Sequence, residues 1–195
     1  MNKPHRSFDP NRVGRLEAVT WVSYYRREWV RFLRAALLVT RHAFGLSWPE
    51  TLKAAWLVMR ANQFWAPQVD NDPDRARRAM ERFYALLRRK YHEDYDPHVA
   101  ATLEVDWWRI HREHQRDGSP LTEEALIEAL AKLYAYAYGV PEESVRLAAE
   151  QRALAMRLSD RWVNEGRDLD NPLVADERAA LVRSYAALLA AVHVA

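Results

Sequence analysis

An all-α fold is predicted by three features of the chain. Helix starts recur in one form, Asp72-Pro73, Asp96-Pro97 and Asn171-Pro172, each placing a side-chain acceptor at the N-cap and a proline at the first helical position. Apolar residues recur at helical spacing, and the one alternating run, "YAYAY", lies inside a helical pattern. Five glycines stand against nine prolines, a balance that suits helices joined by stiff corners. The expectation is a single compact, bundle-like domain of about seven helices over residues 15–195, behind a flexible N-terminal segment of residues 1–14.

The first helix is expected from about Leu16 to Phe44, with Gly45 as its C-terminal cap. Its apolar face, through Trp21, Tyr25, Trp29, Phe32, Leu33, Ala36, Val39 and Ala43, is broad enough to make it long and central. "SWPE" (Ser47 to Glu50) reads as a capping box for a second helix lasting to about Phe64. The third starts at Asp72-Pro73 and gathers Ala76, Ala79, Met80, Phe83 and Leu87 within an arc of about 100°. The fourth starts at Asp96-Pro97 and runs through "LEVDWWRIHREHQRD", with Leu103, Trp107, Ile110 and His114 as the buried seam. A fifth begins at Ser119-Pro120 or Thr122 and ends at Gly139. Pro141 opens a sixth that runs to Asn164 with Gly166 beyond it, and Asn171-Pro172 opens the last. No linker, low-complexity tract or internal repeat interrupts the series.

Composition removes several chemistries. With no cysteine there are no disulfides, thiolate metal sites, iron–sulfur clusters or cysteine nucleophiles. The absence of a glycine-rich phosphate loop argues against a nucleotide cofactor, and the absence of a Gly-x-Ser-x-Gly elbow argues against a serine hydrolase. The opening "MNKPHRSFDPNRVGR" lacks the apolar core of a secretory signal, and the longest apolar run, Ala35 to Val39, is far short of a membrane span. A soluble, cytoplasmic protein with no membrane span is therefore expected.

Two histidines on the fourth helix are the candidate metal ligands. His111 and His114 lie about one turn apart and can share an ion. Glu104 is two turns from His111, about 10 Å, too far to bind the same ion at roughly 2 Å. Glu104 and His111 are therefore catalytic candidates for proton transfer, with Trp108 shaping an apolar pocket beside them. His42 is an alternative axial ligand for haem, although a helix C-terminus favours a histidine through its dipole alone. Neither the Glu-x-x-His pairs of di-iron bundles nor a His-Glu-x-x-His zinc helix is present. Asp70, Asp72, Asp74 and Glu81 match the acidic positions of a calcium loop, but Arg75 stands where that loop needs glycine.

Charge is unevenly distributed. Residues 1–60 carry 11 basic and 4 acidic side chains, and residues 100–195 carry 11 basic and 16 acidic. On the first helix Arg27, Arg31, Arg34 and Arg41 share an arc of about 80°. Arg75, Arg78, Arg82 and Arg89 make a second stripe on the third helix, and Trp65 sits beside Pro67 in the connection between the second and third helices. These residues suit a protein partner or a second copy of the chain, with a small apolar ligand as a further class. Nucleic acid is disfavoured, because the net charge is only +2 and no recognition motif appears. Two functions follow as expectations. One is a non-catalytic helical interaction module with charge-asymmetric and aromatic surfaces, extending to self-association. The alternative is an oxidoreductase using a non-haem metal or haem at His111, His114 and Glu104.

Overall fold

The computed structural model describes residues 4–67, 69–116 and 118–194. Every regular element among them is helical. A 3-10 turn at Pro4–Arg6 is followed by α1 (Pro10–Tyr25), α2 (Trp29–Phe44), α3 (Trp48–Trp65) and α4 (Pro73–Tyr91). Then come α5 (Pro97–His114), α6 (Glu123–Tyr138), α7 (Glu142–Asn164) and α8 (Leu173–Val194). The predicted caps form: Asp72 accepts from the Arg75 N–H at 2.8 Å, Asp96 from His98 at 2.8 Å and Asn171 from Leu173 at 3.0 Å. Thr122, not Ser119, caps α6, and Gly45 and Gly139 end α2 and α6 at positive φ.

The expected first helix, Leu16 to Phe44, is instead two helices. The Glu28 N–H bonds the Ser23 carbonyl at 2.8 Å and the Arg27 N–H bonds the Tyr24 carbonyl at 3.0 Å, the two bonds of a Schellman motif. Arg27 takes the left-handed position of that motif at φ 60°. Glycine usually stands there and announces the stop, so an arginine leaves the break invisible in the sequence. The start also moves. Asp9 accepts from the N–H groups of Asn11 and Arg12, so α1 begins at Pro10, within the segment 1–14 expected to be flexible, and Val13 is fully buried.

The described residues pack as two compact units, one within Met1–Trp48 and Ser144–Ala195, the other within Pro49–Glu143. Their limits fall in the first turns of α3 and α7, where no change of composition marks them.

In the first unit α1 packs against α2 and α8. Small residues make the crossings close: Ala18, Ala155, Ala180 and Leu181 form one cluster, with Trp21, Leu154 and Leu158 packed against it. Trp162, fully buried, joins Val22 and Leu173 in another, and its indole N–H is satisfied by the Asp168 carbonyl at 2.6 Å. At Gly14 an added Cβ would stand 2.8 Å from the Val182 Cα and backbone N. Gly14→Ala is therefore expected to push α1 off α8 and to lower stability by about 2 kcal/mol, against the gain alanine normally brings to a helix interior. Urea denaturation tests this, and an unchanged midpoint would show that the two helices separate freely.

In the second unit α5 packs against α4 and α6. The predicted face of α4, Ala76, Ala79, Met80, Phe83 and Leu87, is buried as a set. The seam expected on α5 is displaced: Ala101, Val105 and Trp108 are buried, while Leu103, Trp107, Ile110 and His114 are only partly covered. Trp108 can enter the core because Glu104, one turn earlier, accepts its indole N–H at 3.1 Å. The same carboxylate accepts the Tyr84 hydroxyl at 2.7 Å.

Candidate functional site

The corner between α1 and α2 concentrates features that folding alone does not require. The Schellman turn brings Tyr24, Trp29 and Phe32 together, with ring centroids 5.8–6.3 Å apart in edge-on or tilted pairs. Arg26 fixes the turn from both sides, donating to Glu28 at 2.8 Å and to the Arg167 carbonyl at 2.9 Å. The aromatic group is thus held in place, yet it faces solvent: Tyr24 is 44% exposed, Trp29 53%, Leu33 48% and Val30 85%.

The direction of exposure is informative. At 100° per residue, Trp29 and Leu33 share an arc of about 60–80° with Thr40 and Ala43 further along α2. Thr40 and Ala43 are buried. The face that packs at the C-terminal end of α2 is therefore uncovered at its N-terminal end. Arg27, Arg31 and Arg34 are exposed around that uncovered stretch. Glu28 binds Arg26 at 2.8 Å and Arg31 at 3.1 Å, and these contacts hold its carboxyl below the ordinary range. Among the described residues no ion pair joins Arg27 or Arg34 to a carboxylate.

The other sequence candidates are placed differently. Arg41 is turned inward, donating to the Leu46 carbonyl at 2.9 Å and lying 4.4 Å over the Trp48 ring. On α4, Arg75 pairs with Asp72 at 3.2 Å, while Arg78, Arg82 and Arg89 are exposed. Trp65 is the last residue of α3, not part of a connection. It lies beneath the Arg112 guanidinium at 4.2 Å and against Trp108 at 6.1 Å between centroids. Arg112 also donates to the Trp65 carbonyl at 2.6 Å. An open cavity of about 290 Å³ lies beside this stack, walled in part by Arg77, Asp106, Arg109 and Arg116. Besides Arg112, which also lines it, Arg77 is engaged by Asp74 at 2.6 Å and Arg109 by Glu113 at 3.1 Å.

The histidine readings receive no geometric support. The His114 Nδ1 lies 2.9 Å from the Leu121 carbonyl, to which it can donate, and this ties the ring to the loop after α5. Trp108 is core and does not line the neighbouring cavity. The Glu104 carboxylate is engaged by Tyr84 and Trp108. Glu28, Glu81 and Glu150, acids at three other helices, pair with Arg26, His98 and Arg146. No group of three His, Asp or Glu side chains among the described residues could hold a metal ion. His42 is partly buried; burial first, then Arg12 and Arg41, hold its pKa below the ordinary value and favour the neutral ring.

Sequence reasoning missed two buried acids, Glu17 and Glu177. In the first unit Glu17 binds Arg152 through both oxygens, at 2.7 and 3.1 Å, and accepts the Tyr185 hydroxyl at 2.7 Å. Glu177 on α8 is fully buried with neither oxygen in a hydrogen bond. The signal was weak: Glu17 is the one acid of α1, and Glu177 stands between Asp176 and Arg178 in a charged run that reads as a solvated helix start. No family model, curated protein or solved structure matches the chain.

Proposed function

We propose that the protein is a non-catalytic interaction module whose docking surface is the corner between α1 and α2. What carries this reading is the uncovered stretch of α2, where Trp29, Val30 and Leu33 stand in water on a helix whose other end is packed. Large apolar side chains grouped at the surface mark interaction sites more often than folding needs. Aromatic residues and arginine are also the types that dominate binding hot spots. The aromatic group is held before any partner arrives, so little ordering is lost on docking.

The reading predicts that these side chains matter little for folding. The double variant Val30→Ser/Leu33→Ser is expected to unfold within about 2 °C of the wild type, as surface substitutions do. A thermal melt followed by circular dichroism decides the matter. A midpoint lowered by about 5 °C or more would assign these residues to the fold and remove the docking surface.

A further inference from the structure

Resting on the docking reading above, we propose that the corner's occupant is the surface of an anionic lipid bilayer, with the N-terminal half of α2 lying in the interface. The first support is the charge of the helix. From Trp29 to Phe44 α2 contains three arginines and no acid. Around the corner Glu28 is shared between Arg26 and Arg31, which leaves Arg27 and Arg34 outside any ion pair among the described residues. The corner therefore has positive charge available for lipid phosphates, and arginine stems can lie along apolar surface while the guanidinium reaches the headgroups.

The second support is the order of side chains around α2. Trp29, Leu33 and Val30 span an arc of about 100°, and Arg34 and then Arg31 follow directly beyond Val30. An apolar arc with arginines along one edge, able to reach headgroups beside it, suits a helix lying in the plane of a membrane. The third is the aromatic group itself. Tyr24 and Trp29 each present an apolar ring with a polar tip, a combination suited to the boundary between headgroups and acyl chains. A bilayer also asks for no concave partner, which suits Val30 at 85% exposure. No helix among the described residues is long and apolar enough to cross a membrane, so contact of this kind would be with one leaflet.

The test is flotation of the full chain with vesicles of phosphatidylcholine alone or with about 30% phosphatidylglycerol, at low and near-physiological salt. The expected result is at least tenfold more protein floating with the anionic vesicles, weakened by salt. Val30→Ser/Leu33→Ser and Arg31→Gln/Arg34→Gln should each reduce that binding at least tenfold. Absence of binding to anionic vesicles at low salt would overturn the proposal, as would binding that neither double variant alters. Binding to an acidic polypeptide but not to anionic vesicles, or self-association that depends on the same residues, would likewise replace lipid as the occupant. If vesicles fail to bind while Val30→Ser/Leu33→Ser keeps its melting midpoint, only the lipid assignment falls. If that midpoint collapses, the docking surface falls with it.

Discussion

Arg152→Met is expected to lower the unfolding free energy by about 3–5 kcal/mol, the largest loss from any single substitution proposed for this chain. Arg152 reaches from α7 to α1 and holds both oxygens of Glu17, at 2.7 and 3.1 Å, with the two side chains only 14% and 11% exposed. Taking the guanidinium away leaves a carboxylate in the first unit with the Tyr185 hydroxyl still donating to it at 2.7 Å. The loss measures that stranded charge and not the net worth of the pair, because the pair itself gave up hydration to form. The double variant Glu17→Met/Arg152→Met should therefore recover most of the stability lost. Urea denaturation of both variants tests the argument. A loss below about 1 kcal/mol for Arg152→Met would mean that water reaches Glu17 as it reaches an ordinary surface pair.

The helices were legible wherever a local device marked their ends. Asp72-Pro73, Asp96-Pro97, Asn171-Pro172, Gly45 and Gly139 act within a few residues of themselves, and each stands where expected. Arg27 shows the limit of that method. A turn that stops a helix with an arginine at φ 60° relies on contacts such as Arg26 to the Arg167 carbonyl, some 140 residues away in sequence. Asp9-Pro10 is a different case: the sequence carries the same cap signal there, and it outweighs the polar, proline-bearing character that suggests a flexible segment.

The site was legible in part. Arg27, Arg31 and Arg34 are exposed, as charge patterning reports which face meets water, whereas Trp29, expected on the packed apolar face, is 53% exposed. Spacing alone could not show that Trp29 and Leu33 would be uncovered while Thr40 and Ala43, on the same side of α2, are packed. Coverage is decided by the partner elements, not by the helix. The same reason displaced the α5 seam: tryptophans stand on both of its candidate faces, and Trp108 entered the core where Glu104 could meet its N–H.

Glu177 is expected to make stability fall as pH rises. It lies on α8 with no exposed surface, and burial pushes its pKa from 4.5 to about 8. Glu17 on α1 and Asp160 on α7 push in the same direction. The Ser159 hydroxyl, which makes no well-formed hydrogen bond to it, offsets only part of the shift. Folded, the carboxyl keeps its proton through neutral pH; unfolded, it loses that proton above 4.5. The folded state thus binds the extra proton between these two values. Its advantage is complete below 4.5 and is lost by about 1.4 kcal/mol per pH unit up to about 8. Glu177→Gln removes the ionisation while keeping the shape. The variant should match the wild type within about 1 kcal/mol at pH 4.5 and exceed it by about 4 kcal/mol at pH 8. Denaturant titrations at both pH values measure the difference directly, which cancels the slopes of every other group. A difference that stays constant with pH would show that Glu177 is ionised when folded. Its neighbours would then have to shift to supply donors that the present geometry withholds. Tyr25, at the end of α1, is raised to about 12, chiefly by burial, with the nearby acids adding to it. Tyr25 therefore stays neutral at both pH values and adds nothing to the difference between variant and wild type.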